Sequence, residues 1–354
     1  MKSKILFIIL TTLINLGTAE AITFGPGNVG TKIDEFGTNP GYLGMYLYIP
    51  EDIPENAPLV LSLHGSNMTA TAQAEITHWA KLADMWKFYV VHVEALAGAC
   101  QYENPMLVTC FNSFDPNSYK RGVGVEAISI VEMVEYVKAN FSVDDNRVFI
   151  SGFSSGGLMS MAMLSNYPDI FASAGVISGG PFFGEAGEDG ADSATLENWK
   201  ARFKEGFPEY GGEAREVIFC AGQNDKLLPS SYQDYLLQQL VAIHGTDDEA
   251  DLVEMIEPNT TVYSFIENGK TVIKYFDIAN LGHQIPIDPG DSESQGGSVP
   301  FSFYYAMLTK DVAIWMPYHI GKFWRLDQEV DDEIDEEVDD EIDEEVDDEI
   351  DEEV

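Results

Sequence analysis

Gly152-Phe153-Ser154-Ser155-Gly156 fits the pattern G-x-S-x-G. The frame is unambiguous, because Ser154 has glycine two residues away on both sides and Ser155 does not. A serine raised on a sharp, strained turn leaves no room for a Cβ beside it, so the pattern predicts a nucleophile elbow. A Gly/Ser turn ahead of a helix is the plainer alternative. Serine is a weak nucleophile and needs a base that a third group orients, and the chain order expected for such an elbow is Ser, then Asp or Glu, then His. Of six histidines, His244, His283 and His319 follow Ser154 with room for an acid between. His244 ends a helical pattern, and His319 lies in the aromatic stretch 315–324. His283 sits in Asn280-Leu281-Gly282-His283-Gln284-Ile285-Pro286, a loop straight after an apolar strand, which favours it as the general base. Asp225 follows the apolar run 216–221 and is the best-placed acid, although Asn224-Asp225 also suits a turn or helix cap. Asp189 and Asp192 fall in an insertion, and Asp247, Asp248 and Asp251 in an acidic loop. An oxyanion hole needs two backbone N–H groups. Ser155, just after the nucleophile, supplies one. Ser66, after the strand that ends His64-Gly65, is the candidate for the other, with His64 organising that loop.

These residues need strands that end in loops at one edge. Pro58-Leu59-Val60-Leu61-Ser62-Leu63 is a near-continuous apolar run, as a strand buried on both faces requires. Strands are also expected at 45–49, 88–93, 148–150, 172–178, 216–221 and 271–278. Helical spacing marks 71–86, 124–140, 232–243 and part of 304–324, and residues 158–164 follow the elbow as a helix. Residues 22–45 read as an entry loop with edge strands, 96–122 as a loop over strand ends, and 181–215 as a lid-like insertion. The alternation predicts an α/β fold with a mostly parallel central sheet and helices on both faces. Chemistry in such sheets sits at the carboxyl ends of the strands, where Ser66, Ser154, Asp225 and His283 all fall.

Both ends stand apart from this domain of residues 22–326. Lys2 and Lys4 precede an apolar run, and Ala19-Glu20-Ala21 follows, which predicts a secretory signal peptide over 1–21, no membrane insertion after its cleavage, and a secreted or periplasmic protein. From Glu329 the chain repeats Glu-Val-Asp-Asp-Glu-Ile-Asp-Glu three times. Residues 327–354 carry twenty acids and no Lys or Arg, out of a net charge of −41; the rest holds 40 acids against 19 bases, still −21. Such charge disfavours nucleic acid as a partner. It predicts a disordered tail whose fitting ligands are cations or a basic partner. The tail lacks EF-hand spacing, and the three cysteines lack paired Cys/His spacing, so the sequence calls for no metal site. Acyl transfer to a serine calls for no cofactor. Export makes a disulfide possible: Cys100 and Cys110 lie ten apart and could close a small ring, while Cys220 sits in a core strand.

With these residues in hand, the chain resembles the poly(3-hydroxybutyrate) depolymerase branch of the α/β-hydrolases, which is similar to feruloyl and acetylxylan esterases. The matching pieces run through most of residues 40–325: Pro58 to Gly65, Asn104-Pro105, Cys110-Phe111-Asn112, Arg121-Gly122, Arg147-Val148 with Gly152 to Gly157, Tyr167-Pro168-Asp169, Gly222 with Asp225, and Gly282-His283 with Pro286 to Gly290. The resemblance implies the α/β-hydrolase fold, nucleophile Ser154, acid Asp225 and base His283, with a polyester or another ester as substrate. Ser66 stands where the family often has Cys, so a Cys100–Cys110 ring would replace any pairing from that position. The stretch from Gly282 to Gly290 is more like the polyester branch than the feruloyl branch. The expected function is an exported serine esterase acting on poly(3-hydroxybutyrate)-type polyesters or their oligomers through an acyl-enzyme. The alternatives are a feruloyl or acetylxylan esterase, and a non-catalytic α/β-hydrolase-fold binding protein that works through its tail.

Overall fold

The apolar run expected at 58–63 forms β3 (Ala57–Leu63), and every residue of it is buried. Its side chains alternate between two cores. Leu59, Leu61 and Leu63 join one apolar cluster and Val60 the other, so the strand is covered on both faces. The computed structural model describes residues 29–96, 108–228, 231–257, 259–299 and 302–328. The signal segment 1–21, Cys100 and the repeats 329–354 lie outside the described residues.

Around β3 are β1 (Thr31–Ile33), β2 (Leu43–Tyr48), β4 (Tyr89–Ala95), β5 (Val143–Phe153), β6 (Ser173–Ile177), β7 (Glu216–Gly222), β8 (Leu252–Glu257), β9 (Thr260–Glu267) and β10 (Lys270–Ile278). They form one ten-stranded sheet in the order β1-β2-β4-β3-β5-β6-β7-β10-β9-β8. From β4 across to β10 every neighbour is parallel. Both flanks are antiparallel. This is the mostly parallel sheet with helices on both faces expected from the sequence. One layer is α4 (Val125–Asn140), α5 (Ser155–Asn166) and α7 (Ser231–His244), which bury Ile130, Met159 and Leu236 among others. The second is α1 (Ala70–Thr77), α2 (Trp79–Trp86) and α9 (Met316–Phe323). Trp324, just past α9, stacks on Phe149 of β5 at 4.8 Å and on Trp79 at 5.8 Å. Its indole N–H donates to Ser173 Oγ at 2.7 Å, satisfying the polar edge of a buried ring.

Three expectations change. The single helix over 71–86 is broken, because His78 takes a left-handed φ of +52° while its N–H still closes on the Ala74 carbonyl. The break lets α2 turn Trp79, Leu82 and Ala83 into the second core. Beyond the acidic loop that holds Asp247, Asp248 and Asp251, β8 and β9 form a hairpin that the sequence pattern hid. Five of the six residues of β8 are exposed, so no alternation marks it. The stretch 304–324 holds three elements: α8 (Phe303–Leu308), then β12 (Thr309–Asp311) paired in parallel with β11 (Ile285–Ile287), then α9. Within 181–215, α6 (Leu196–Lys204) begins at a Thr195 capping box and lays Trp199 on Tyr235 of α7, ring centroids 5.3 Å apart. The short helix α3 (Pro116–Tyr119) leads into α4.

Leu61→Ala should lower unfolding free energy by about 2–5 kcal/mol, the usual range for emptying a fully buried leucine site. Urea denaturation reads this, and a loss under about 1 kcal/mol would contradict the central placement of β3.

Candidate active site

Ser154 lies between β5 and α5 with φ +54° and ψ −118°, a conformation that costs strain in any residue with a Cβ. Its neighbours show what holds it there. A Cβ on Gly152 would lie 2.2 Å from the Gly156 carbonyl carbon. One on Gly156 would lie 2.5 Å from the Leu63 carbonyl oxygen and 2.6 Å from that of His64. The two glycines therefore let the turn close on itself and press against the end of β3. The Ser154 N–H donates to Ile177 O of β6 at 3.0 Å, fixing the turn from the other side. Ser154 is half-buried, whereas every other residue of 151–160 is buried.

Asp225 and His283 come from adjacent parallel strands, β7 and β10. The loops beyond those strands are bound to each other. Gln223 N–H donates to Ile278 O at 3.1 Å and Asn224 N–H to Leu281 O at 2.9 Å, while the Asn224 amide donates to Ala279 O at 3.0 Å. Gly222 permits this approach, since a Cβ there would lie 2.3 Å from Leu281 O. The result is a chain of hydrogen bonds. His283 Nε2 lies 2.8 Å from Ser154 Oγ, and His283 Nδ1 lies 2.7 Å from Asp225 Oδ2. The other carboxylate oxygen, Asp225 Oδ1, accepts from the N–H groups of Leu227 and Leu228 at 2.9 and 3.0 Å. The Asp225 side chain is 1% exposed and that of His283 is 10% exposed. A carboxylate so fixed leaves one oxygen for the ring, which suits Nδ1–H as donor and Nε2 as acceptor toward a hydroxyl. The ring of Phe153 packs against His283 at 5.2 Å.

The alternatives are engaged elsewhere. His244 Nε2 lies 3.2 Å from Arg215 O, and the His319 ring packs on Phe276 at 5.0 Å. Burial holds both imidazoles down at about 4. Asp192 accepts from the Tyr235 hydroxyl, and Asp251 accepts from the Ile266 N–H at 2.6 Å. The Ser155 hydroxyl is buried with no hydrogen-bond partner among the described residues.

Ser155 is the first residue of α5, where a backbone N–H has no intrahelical acceptor and the helix dipole favours negative charge. Ser66 stands in the turn after β3, and the register Leu63↔Gly152 sets that turn beside the elbow. Buried His64 braces it: Nε2 accepts from Ala95 N–H at 3.0 Å, so Nδ1 carries the proton toward Gly65 O at 2.7 Å. Burial lowers the pKa of His64 and keeps it neutral. Sequence reasoning missed Tyr304 and Glu126, which fix Asn67 and Asn112. Asn67 N–H donates to Thr109 O at 2.8 Å, and the Tyr304 hydroxyl donates to Asn67 O at 3.0 Å. Asn112 gives its backbone N–H and its side-chain amide to the two oxygens of Glu126, both at 2.9 Å. Glu126 is 2% exposed, and burial pushes its carboxyl up to about 7 against those two donors. No local signal marks Tyr304 or Glu126, whose partners lie far away in sequence.

Comparison with known proteins identifies the family of the chain. Residues 43–196 match the family model described as Esterase PHB depolymerase. Poly(3-hydroxyalkanoate) depolymerase C of Paucimonas lemoignei is 33% identical over 302 residues, covering 83% of this chain and 69% of that protein. Feruloyl esterase B of Talaromyces stipitatus is 25% identical over 273 residues, 73% of each chain. A probable acetylxylan esterase A of Aspergillus terreus is 29% identical over 296 residues, 78% of this chain and 91% of that one. Among solved structures, an acetyl xylan esterase from Aspergillus awamori superposes with a TM-score of 0.62 at 23% identity, over 71% of this chain and 93% of that one, a likeness of fold.

Glu126 generates a pH prediction. Its folded value of about 7 stands above the ordinary 4.5, so between the two the folded state keeps a proton that the unfolded chain has released. Its ionisation therefore makes stability fall as pH rises from about 4.5 to about 7. Glu126→Gln should remove that part of the slope when urea midpoints are compared across this window. An identical slope in the variant would contradict the assignment.

Proposed function

The chain belongs to the esterase family of the PHB depolymerases, and on that premise we propose that it is an exported serine esterase hydrolysing poly(3-hydroxybutyrate)-type polyesters or their oligomers through an acyl-enzyme. The observation that carries the reading is the unbroken chain from Ser154 Oγ through His283 to buried Asp225, on a strained elbow. In this reading His283 Nε2 takes the Ser154 proton as Oγ attacks the ester carbonyl. Asp225 keeps the proton on Nδ1 and stabilises the imidazolium. The N–H groups of Ser66 and Ser155 receive the oxyanion. The tetrahedral adduct then expels the alcohol, which takes the proton from His283 and leaves an ester on Ser154. Water, deprotonated by His283, attacks that ester and releases the acid and free Ser154. A feruloyl or acetylxylan esterase is the second reading, favoured by the relatives of those names at 25% and 29% identity.

The catalytic unit in this proposal is 22–326, with the signal segment before it and the acidic segment 327–354 after it. A Cys100–Cys110 ring accompanies export. Cys110 is buried, and Cys220 is a free, buried thiol whose pKa burial pushes up to about 12.

Ser154→Ala should lower kcat on soluble esters by on the order of 10⁴–10⁶-fold, and a fluorophosphonate probe should label Ser154 alone. Retained activity or a label on another serine overturns the nucleophile assignment. Clearing of a polyhydroxybutyrate suspension, without ferulate or acetate release from xylans, separates the polyester reading from its rival; the reverse result gives the site to plant polysaccharide esters. The unreduced intact mass of exported protein should match residues 22–354 less two hydrogens. A mass that includes 1–21 contradicts cleavage, and no mass gain on reduction contradicts the ring.

A further inference from the structure

At the sheet edge opposite Ser154, the starts of β5, β6, β7 and β10 and the chain just after α9 enclose a cleft of about 370 Å³. Four cations stand around it: Arg147, Arg215, Lys270 and Arg325. The chain carries only 19 bases against 60 acids, so four of them around one cleft is a strong local reversal of sign. Lys270 is paired with Glu216 on the cleft wall. Among the described residues Arg147, Arg215 and Arg325 form no ion pair with a carboxylate. Arg147 donates from Nη2 to Arg325 O at 3.0 Å, and Arg215 donates from Nε to Pro168 O at 2.7 Å. Those bonds orient the two half-buried guanidiniums and use one N–H of each fork. A guanidinium has five donors and binds a carboxylate best through two in parallel. The cleft has the chemistry of a site for a carboxylate-rich ligand.

The occupant can be named from where the chain goes. Gln328, the last described residue, lines this cleft. The next residues are Glu329-Val330-Asp331-Asp332-Glu333, the first of the acidic repeats. At about 3.4 Å per extended residue, Asp331, Asp332 and Glu333 reach no more than roughly 10–17 Å from Gln328, a span that keeps them at the cleft. A tethered segment also meets its site at an effective concentration near the millimolar range, which a free anion would have to match in solution. We propose that the first acidic repeat of the chain's own C-terminal segment docks in this cleft, its carboxylates on Arg147, Arg215 and Arg325. The ligand is thus a run of carboxylates supplied in cis. The seat lies a strand's length from the catalytic edge, roughly 20 Å for six residues, so it acts on the anchoring of the tail and not on the chemistry at Ser154.

Full-length Arg147→Lys, Arg215→Lys and Arg325→Lys variants test this. Each keeps the charge and adds an amine that a zero-length carbodiimide couples to a touching carboxylate. At about 10 mM salt, mass spectrometry should find links within single chains from the new lysines to Glu329, Asp331, Asp332 or Glu333. They should fall at least about tenfold at about 1 M NaCl, where the Debye length shrinks to about 3 Å. In full-length Arg147→Gln/Arg215→Gln, cleavage after Glu329 and Glu333 by a glutamate-specific protease should speed up several-fold, with hydrolysis of a soluble ester unchanged. Tail links spread equally onto Lys226 and Lys310 would mean an unseated tail and overturn the proposal. Links found only between two chains, or no tail links in any of the three lysine variants, would also overturn it.

Discussion

The Leu63 and His64 carbonyl oxygens occupy the space where any side chain on Gly156 would have to go. That contact fixes more than one glycine. It sets the elbow hard against the end of β3, and the parallel register of β3 with β5 follows from the same closeness. Once β3 and β5 are in contact at this edge, the turn after β3 and the start of α5 have to lie on either side of Ser154. The left-handed φ of Ser154 is held by the same packing, with Ile177 O gripping its N–H from β6. A strained residue persists only where its surroundings over-determine it, and here three strands do so. The hydrogen-bonded set of Ser154, His283 and Asp225 is built outward from that point, on loops whose backbone groups bond to one another before any side chain is considered.

Much of this was legible in the sequence for physical reasons. A strand buried on both faces has to be apolar at consecutive positions, so 58–63, 88–93 and 216–221 announced themselves. Ser154, His283 and Asp225 could be singled out because each follows such a strand in the required order, and the structure brings the three together. What stayed hidden depends on contacts far apart along the chain. Nothing near Tyr304 indicates that its hydroxyl holds the turn at Asn67, and nothing near Gly222 indicates that it must clear the backbone at Leu281. The hairpin of β8 and β9 escaped because β8 is exposed and carries no period. The break at His78 escaped because a left-handed histidine leaves the helical spacing on both sides intact.

The two edges of the sheet differ electrically. At the edge that bears Ser154 the positive groups include dipoles: the N-terminus of α5 and backbone N–H groups, with a carboxylate held behind an imidazole. At the other edge they are full charges on guanidinium forks. In a molecule with a formal charge of −41, dipoles fixed in the backbone at that edge need no counter-ion to hold them in place.

Trp324 bears on how the molecule comes into being. Its ring closes the second apolar layer against Phe149 and Trp79, and Trp315, from the same segment, donates its indole N–H to Thr77 O, 238 residues earlier in the chain. A ribosome therefore delivers α1, α2, β3 and β5 long before the residues that cover one of their faces exist. Until that segment is made, α1 and α2 supply only part of the layer over Val60, Val90 and Phe149, and Phe149 lacks the ring that stacks on it. The second apolar layer is complete only when both distant parts of the chain are present.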